Sequence, residues 1–175
     1  ITIPVKDTFT FNINAIERIY TLCARQPFLI QSLCSRIYEL AQVRKKREID
    51  LEMVSIATNL ILTESEHLRT QWSKVDNLRT QLMLIYLAQE SGDNDCHALN
   101  EEQVFALLNH NCPIPIGHDE VCRELSCLTG RGMLTKTGDR HPMYHFTVPL
   151  MSQWIQMNIE PRRIEYLVMQ ESESK

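Results

Sequence analysis

Glycine is scarce in this sequence, with five residues in a chain of 175, and no segment has the pattern G-x-x-x-x-G-K-[ST]. That pattern supplies the backbone N–H groups and the lysine that hold nucleotide phosphates. We therefore expect no ATP hydrolysis by this chain alone, no catalytic residue, and no cofactor held by the chain itself. The pattern G-x-S-x-G is also absent, which removes one common arrangement for a serine nucleophile.

Long apolar runs are absent too. The run LMLIYLA at residues 82–88 is among the longest, and a bilayer-spanning helix needs roughly 20 apolar residues. No two of the six cysteines have the spacing CxxC. Most of them lie in helical apolar patterns, where cysteine behaves as a small apolar residue. The sequence therefore predicts a cytoplasmic protein with no membrane partner.

Cysteine and histidine come close together at three places, which raises the question of a metal site. The three pairs are Cys96–His97, His110–Cys112 and His118–Cys122. Only the last pair has the spacing of four residues that places two side chains on one helical face. Because Cys122 also fits an apolar stripe, we predict ordinary core and surface residues here and no metal site.

Charge is unevenly distributed along the chain, whose formal net charge is -4. Residues 1–70 carry 9 Lys+Arg and 8 Asp+Glu, whereas residues 71–158 carry 6 and 10. Proteins that bind nucleic acid usually carry an excess of basic residues on the binding domain. The acidic balance of residues 71–158 therefore disfavours a nucleic-acid partner.

Residues 1–70 have the apolar spacing of three successive helices. Asn14 begins a capping-box pattern for a helix that ends near Arg25. Pro27 suits the first turn of the next helix, because its missing N–H would have no intrahelical partner there. Asp50 is a suitable N-cap for the third helix. The pattern predicts a helical subdomain.

Residues 71–158 change from helical to alternating apolar spacing. Three helical segments come first, the second starting at Asn100 and the third at His118. Two strands follow, with Gly138 and Asp139 supplying the turn between them. Three helices followed by a two-stranded hairpin is the order of a winged helix-turn-helix.

The sequence pattern of residues 159–175 predicts one more helix, followed by a tail. Ile164, Leu167 and Val168 share one helical side, which we expect to dock on a neighbouring domain or on a partner chain. The polar, charged end ESESK is expected to be disordered.

Three stretches of the sequence resemble one protein family. LCARQPFLIQSLC is similar to the LTGGxPFLIQxLC run of STAND-class P-loop ATPases, which are close kin of AAA-plus ATPases. LSCLTGRGML resembles the L..L..RGIL segment that leads into the wing of that family's winged helix, and YHFTVPLMSQWI resembles its Y.F.VPLF..WL ending. The resemblance implies a mainly α fold, in which a helical lid at residues 1–70 precedes a winged helix with a small two-stranded β-hairpin at residues 71–158.

The resemblance also implies a role. Such a region is the non-catalytic, regulatory C-terminal part of a signalling ATPase. It closes over ATP or ADP held by an upstream P-loop domain of the same chain and passes that state to a protein partner or to neighbours in an oligomer. The first residue is Ile1 rather than Met, which leads us to expect that the sequence is a fragment of such a protein.

Three residues are candidates for sensing the nucleotide, all by resemblance. Pro27 matches the proline of the family's Gly-x-Pro element, which approaches the bound nucleotide, and Arg25 and Gln26 precede it. The family's paired glycines are replaced by Ala24 and Arg25, and this loss removes the option of a positive φ at low cost. Any phosphate contact is therefore expected from the Arg25 side chain. The alternative is that Pro27 only starts a helix.

A DNA-binding regulator is the main alternative function, because winged helices often place their third helix in the major groove. The acidic residues Asp119, Glu120 and Glu124 on that helix are expected to repel phosphates. The basic residues of the predicted wing are Arg131, Lys136, Arg140 and His141. A protein-interaction module is a further alternative that the sequence does not separate from the regulatory role.

Overall fold

The computed structural model describes residues 9–92 and 97–173. The chain divides into two compact units, of which the first ends at Ser65 and the second begins at Glu66. The pattern of the sequence placed this division at residue 70. Both units are mainly helical, so the predicted fold class is confirmed.

The first unit consists of helices joined by a small parallel ladder. In chain order its elements are β1 (Thr10–Phe11), α1 (Ile13–Leu22), α2 (Pro27–Arg44), β2 (Glu48–Ile49) and α3 (Leu51–Glu64). Helix α2 packs chiefly on α3, and fully buried side chains such as Ile19, Leu33 and Met53 fill the space between the helices. The ladder brings the segment before α1 beside the segment before α3, with Phe11 opposite Ile49.

The first helix begins at a different residue from the predicted one. Its N-cap is Asn12, whose side chain accepts a hydrogen bond from the N–H of Asn14 at 3.0 Å. Asn14 therefore lies inside the first turn. The prediction was wrong because two asparagines two residues apart are equally good cap residues by type. Asp50 caps α3 as predicted and accepts a hydrogen bond from the N–H of Met53 at 2.9 Å.

The second unit contains the winged helix. Its elements are α4 (Glu66–Ser73), α5 (Leu78–Ser91), β3 (Leu99–Asn100), α6 (Glu101–Asn111), α7 (His118–Gly130), β4 (Leu134–Thr137), β5 (Met143–Phe146), α8 (Pro149–Asn158) and α9 (Pro161–Glu173). The strands form an antiparallel sheet in the order β3-β5-β4. The predicted hairpin is β4–β5. The third strand, β3, was not predicted, because two residues are too few to show an alternating pattern.

Helix α5 is the centre of the second unit. All side chains from Leu82 to Ala88 are buried, because α6, α8 and α9 all pack on this helix. The rings of Trp72 and Trp154 lie 6.4 Å apart, so Trp72 packs within this unit. In the part of the chain that is described, no helix combines the length and apolar character needed to cross a bilayer.

The predicted terminal helix is α9, and it docks on α5 of its own unit. Val168 is buried, and the hydroxyl of Tyr86 donates a hydrogen bond to Glu165 at 2.9 Å. Part of the apolar stripe is thus used inside this unit, while Leu167 stays exposed. Residues 171–173 of ESESK continue the helix, and residues 174–175 lie outside the described residues.

Candidate functional site

The turn between α1 and α2 holds two consecutive residues in the left-handed region. Ala24 has φ 46° and Arg25 has φ 57°. A residue with a Cβ pays about 1–2 kcal/mol in this region, which is why glycine is usual there. These are the two positions at which the resembling family has glycine. The chain therefore adopts a positive φ at both positions without the residue type that adopts it at low cost.

Hydrogen bonds to the last turn of α1 stabilise this conformation. Three backbone N–H groups donate to carbonyls of α1 or its C-cap, in the pairs Arg25–Tyr20 (3.1 Å), Ala24–Thr21 (3.1 Å) and Gln26–Cys23 (2.9 Å). The first two bonds form a Schellman motif. Because all three N–H groups are occupied, the backbone of this turn has no donor for a phosphate.

The side chains of the three predicted sensing residues are exposed. Gln26 is the N-cap of α2 with φ -71° and makes no side-chain cap bond, and Pro27 begins the helix as expected. Within residues 9–92 and 97–173, the guanidinium of Arg25 and the carboxamide of Gln26 have no hydrogen bond or ion pair. Both groups are therefore available to a ligand or a partner.

Pro27 lies on the wall of an apolar pocket of about 430 Å³ in the first unit. The pocket is formed by β1, β2 and the facing sides of α1 and α2. Its floor contains the buried side chains Phe9, Ile37 and Ile49, and its exposed edge includes Tyr20 and Pro27. The volume is in the range of pockets that hold small molecules.

The pocket offers little polar chemistry. Among residues 9–92 and 97–173, its polar side-chain groups besides the tyrosine hydroxyls are the carboxamide of Gln31 and the thiol of Cys34, and no charged side chain of these residues lines it. Burial raises the pKa of the Cys34 thiol, which keeps this group neutral. The pocket can therefore accept an uncharged ring or an apolar side chain, whereas a phosphate would need the guanidinium of Arg25 outside it.

The pocket was not predicted, and of its lining residues only Pro27 was a predicted site residue. Phe9 and Phe11 alternate, which is the signal of a strand with both rings on one face. Pro27, Cys34 and Tyr38 share one side of α2 at helical spacing, but such a stripe is normally taken as core. The sequence does not indicate that this part of the apolar side of α2 is left without a packing partner.

Two of the three acidic residues of α7 bind side chains of α5, although repulsion of DNA phosphates would require them to face solvent. A guanidinium nitrogen of Arg79 donates to both carboxylate oxygens of Glu120 at 3.1 Å. The hydroxyl of Thr80 donates to Glu124 at 2.7 Å. Both carboxylates are thus directed at α5, and Asp119 remains exposed beside Arg123. The predicted repulsion of phosphates by this helix is correspondingly weaker.

The basic residues of the wing are exposed as expected. The guanidinium of Arg131 reaches the carbonyl of Lys74 at 3.4 Å, and the ammonium of Lys136 lies 5.8 Å from the ring centre of Tyr144. Arg140 is at the turn between the two strands. All three cations are exposed at or next to the hairpin.

One of the three Cys–His pairs of the sequence, His118 and Cys122, lies within a hydrogen-bonded cluster. The Nδ1 of His118 is 3.6 Å from the Sγ of Cys122, which donates to Glu101 at 3.8 Å. Burial and the charge of Glu101 raise the pKa of the Cys122 thiol, so it is protonated. Among the described residues no group of three or more His, Cys, Asp or Glu has an arrangement suited to a metal ion. Cys96 lies outside those residues.

Comparison with known proteins gives one weak structural likeness. No protein-family model matches the sequence, and no curated protein matches it. The chain is similar to the crystal structure of Cdc6p from Pyrobaculum aerophilum, with 15% sequence identity and a TM-score of 0.38 over 86% of this chain. It spans 44% of the length of that chain. At this identity and TM-score the likeness assigns neither a family nor an activity.

Proposed function

We propose that this chain is a regulatory, non-catalytic region of a STAND or AAA-plus-like P-loop ATPase, with the first unit as its lid. The observation that carries the proposal is the turn before α2. It combines left-handed Ala24 and Arg25, at the two positions of the resembling family's glycines, with Pro27 on the wall of an open pocket. A proline that only started a helix would not require Ala24 and Arg25, three and two residues before it, to adopt a costly conformation.

The chemistry of the turn suggests how a nucleotide held by an upstream domain would be sensed. The apolar pocket suits the uncharged ring of ATP or ADP, and Pro27 contacts that ring. Arg25, whose guanidinium has no partner among the described residues, meets the phosphates. The winged helix then carries the change in lid position to a protein partner or to a second copy, for which exposed Tyr166 and Met169 on α9 offer apolar contacts.

The test uses the full-length protein that contains this chain. We expect Pro27→Ala to weaken ADP binding about tenfold through lost packing, an effect equivalent to about 1.4 kcal/mol. Arg25→Ala should weaken it in a manner that depends on salt, since a charge contact is lost. Binding is measured by isothermal titration calorimetry at two salt concentrations.

Arg47→Ala is the matched control, because Arg47 is also an exposed cation of the first unit and does not line the pocket. It should leave the ADP affinity unchanged. Equal affinities for the wild-type protein, Pro27→Ala and Arg25→Ala would overturn the assignment of nucleotide sensing to this turn.

DNA binding is a second candidate function, favoured by the inward direction of Glu120 and Glu124. It predicts that the chain binds duplex DNA with a strong dependence on salt. Removing one of the three wing cations, Arg131, Lys136 or Arg140, should lower the salt slope by about one unit. Fluorescence anisotropy over a salt series measures this, and binding that is absent or insensitive to salt contradicts it.

A further inference from the structure

The turn between α1 and α2 also sets the shape of the pocket. Tyr20 and Pro27 both line the pocket, and they are joined only by residues 21–26. The backbone conformation of Ala24 and Arg25 therefore helps to set the separation of these two side chains, together with the packing of α1 and α2 on α3. A change of conformation in the turn would change the pocket.

The turn is also a place where the first unit stores strain. Two adjacent residues with a Cβ are held in a region that such residues rarely adopt. Within residues 21–26, Thr21, Arg25 and Gln26 are exposed, whereas Leu22 and Cys23 are buried. Segments with few buried contacts and exposed backbone hydrogen bonds open more readily than the core of a domain. Opening of the turn releases Ala24 and Arg25 from the left-handed region, and this release lowers the free energy needed for opening.

We propose that residues 21–26 form a strained hinge that opens locally, without unfolding of the rest of the first unit, and so opens the pocket between Tyr20 and Pro27. The hinge belongs to the turn itself and does not depend on nucleotide binding. The ADP-binding measurements on Pro27→Ala and Arg25→Ala test the proposed function separately, because they do not depend on whether the turn opens.

Cys23 is a built-in reporter of this opening. It is the C-cap of α1 and is fully buried, with an exposed fraction of 0%. Burial, with a smaller contribution from Cys34, raises the pKa of the Cys23 thiol to about 12. Because the thiolate is the reactive form, Cys23 should resist alkylation while the turn is closed and react when the turn opens.

The experiment measures the rate at which iodoacetamide alkylates Cys23 in the whole chain, with mass spectrometry of the peptide that contains it. Ala24→Gly removes the Cβ from a left-handed residue and should slow the alkylation of Cys23 about fivefold, because the closed turn is then favoured. Rates are divided by those of the same variants in urea, so that intrinsic reactivity cancels.

Two matched controls separate the opening of a local hinge from unfolding of the whole unit and from a general effect of glycine. Lys45→Gly makes the same change at a residue with φ 54° at the other end of α2, so it relieves strain in the same unit but outside the hinge. Gln26→Gly places glycine in the turn at a residue with an ordinary φ of -71°. Neither control should slow the alkylation of Cys23.

Three results would overturn the proposal. If Lys45→Gly slows alkylation as much as Ala24→Gly, Cys23 reacts through unfolding of the whole unit. If Gln26→Gly slows it equally, the effect belongs to glycine and not to φ. If Ala24→Gly leaves the rate unchanged or raises it, the turn is not strained.

Discussion

The two units use different residue types at backbone positions with a positive φ. In the described residues of the first unit, the positions with positive φ are occupied by Ala24, Arg25 and Lys45, whereas in the second unit they are all glycines. The five glycines of the chain all lie after residue 91. The left-handed turns of the second unit thus cost little conformational free energy, whereas each such residue in the first unit destabilises it. The costly turns in the first unit include the one beside the pocket.

The largest expected effect is the loss of a glycine from the wing. Gly138 has φ 80°, and a Cβ at this position would lie 2.9 Å from the carbonyl oxygen of His141. Gly138→Ala should therefore destabilise the second unit by about 2–3 kcal/mol, through strain plus a backbone clash. Both tryptophans, Trp72 and Trp154, lie in this unit, so their fluorescence in a urea titration measures its stability.

Gly130→Ala is the control for that substitution. Gly130 is in α7, has no positive φ and has no atom within 4 Å of an added Cβ, so alanine should stabilise this helix by a few tenths of a kcal/mol or more. A similar loss of stability in both variants would mean that the wing does not require a left-handed residue.

A smaller effect of opposite sign is expected in the first unit. Ala24→Gly and Arg25→Gly should each stabilise it by about 1 kcal/mol, because relief of strain exceeds the greater freedom of glycine in the unfolded chain. Hydrogen exchange of the buried amides of α2 and α3 measures this stability, since the first unit has no tryptophan. Destabilisation by either substitution would remove the contrast between the two units.

The smallest effect is a dependence on pH at the start of α3. The hydrogen bond from the N–H of Met53, followed by contact with Lys46, lowers the pKa of Asp50. A carboxyl group with a lowered folded-state pKa stabilises the fold above its unfolded-state pKa, and that stability is lost as the pH falls through the folded-state value. The first unit should therefore lose stability below about pH 4.

Asp50→Asn provides the control for this effect, because asparagine keeps the cap but does not titrate in this range. The variant should show a shallower loss of stability on acidification when hydrogen exchange is followed at several pH values. Identical pH profiles for the variant and the wild type would show that Asp50 is not responsible.

Helix positions and the winged-helix order could be predicted because they follow from apolar spacing and from residues at helix starts, such as the N-cap Asp50 and Pro27 in the first turn of α2. The short strands β2 and β3 could not, since two residues are too few to show alternation. The pocket was missed because Cys34 and Ile37 have the spacing of core residues, and only the structure shows which part of the stripe is uncovered. The left-handed turn was missed because Ala24 and Arg25 carry no signal for positive φ.

The proposal that the first unit is the lid of a P-loop ATPase can be tested by sequencing the encoding gene upstream of the codon for Ile1. The account predicts a G-x-x-x-x-G-K-[ST] segment within the length of one nucleotide-binding domain before that codon. An upstream coding region without such a segment, or a start codon immediately before Ile1, would contradict the account.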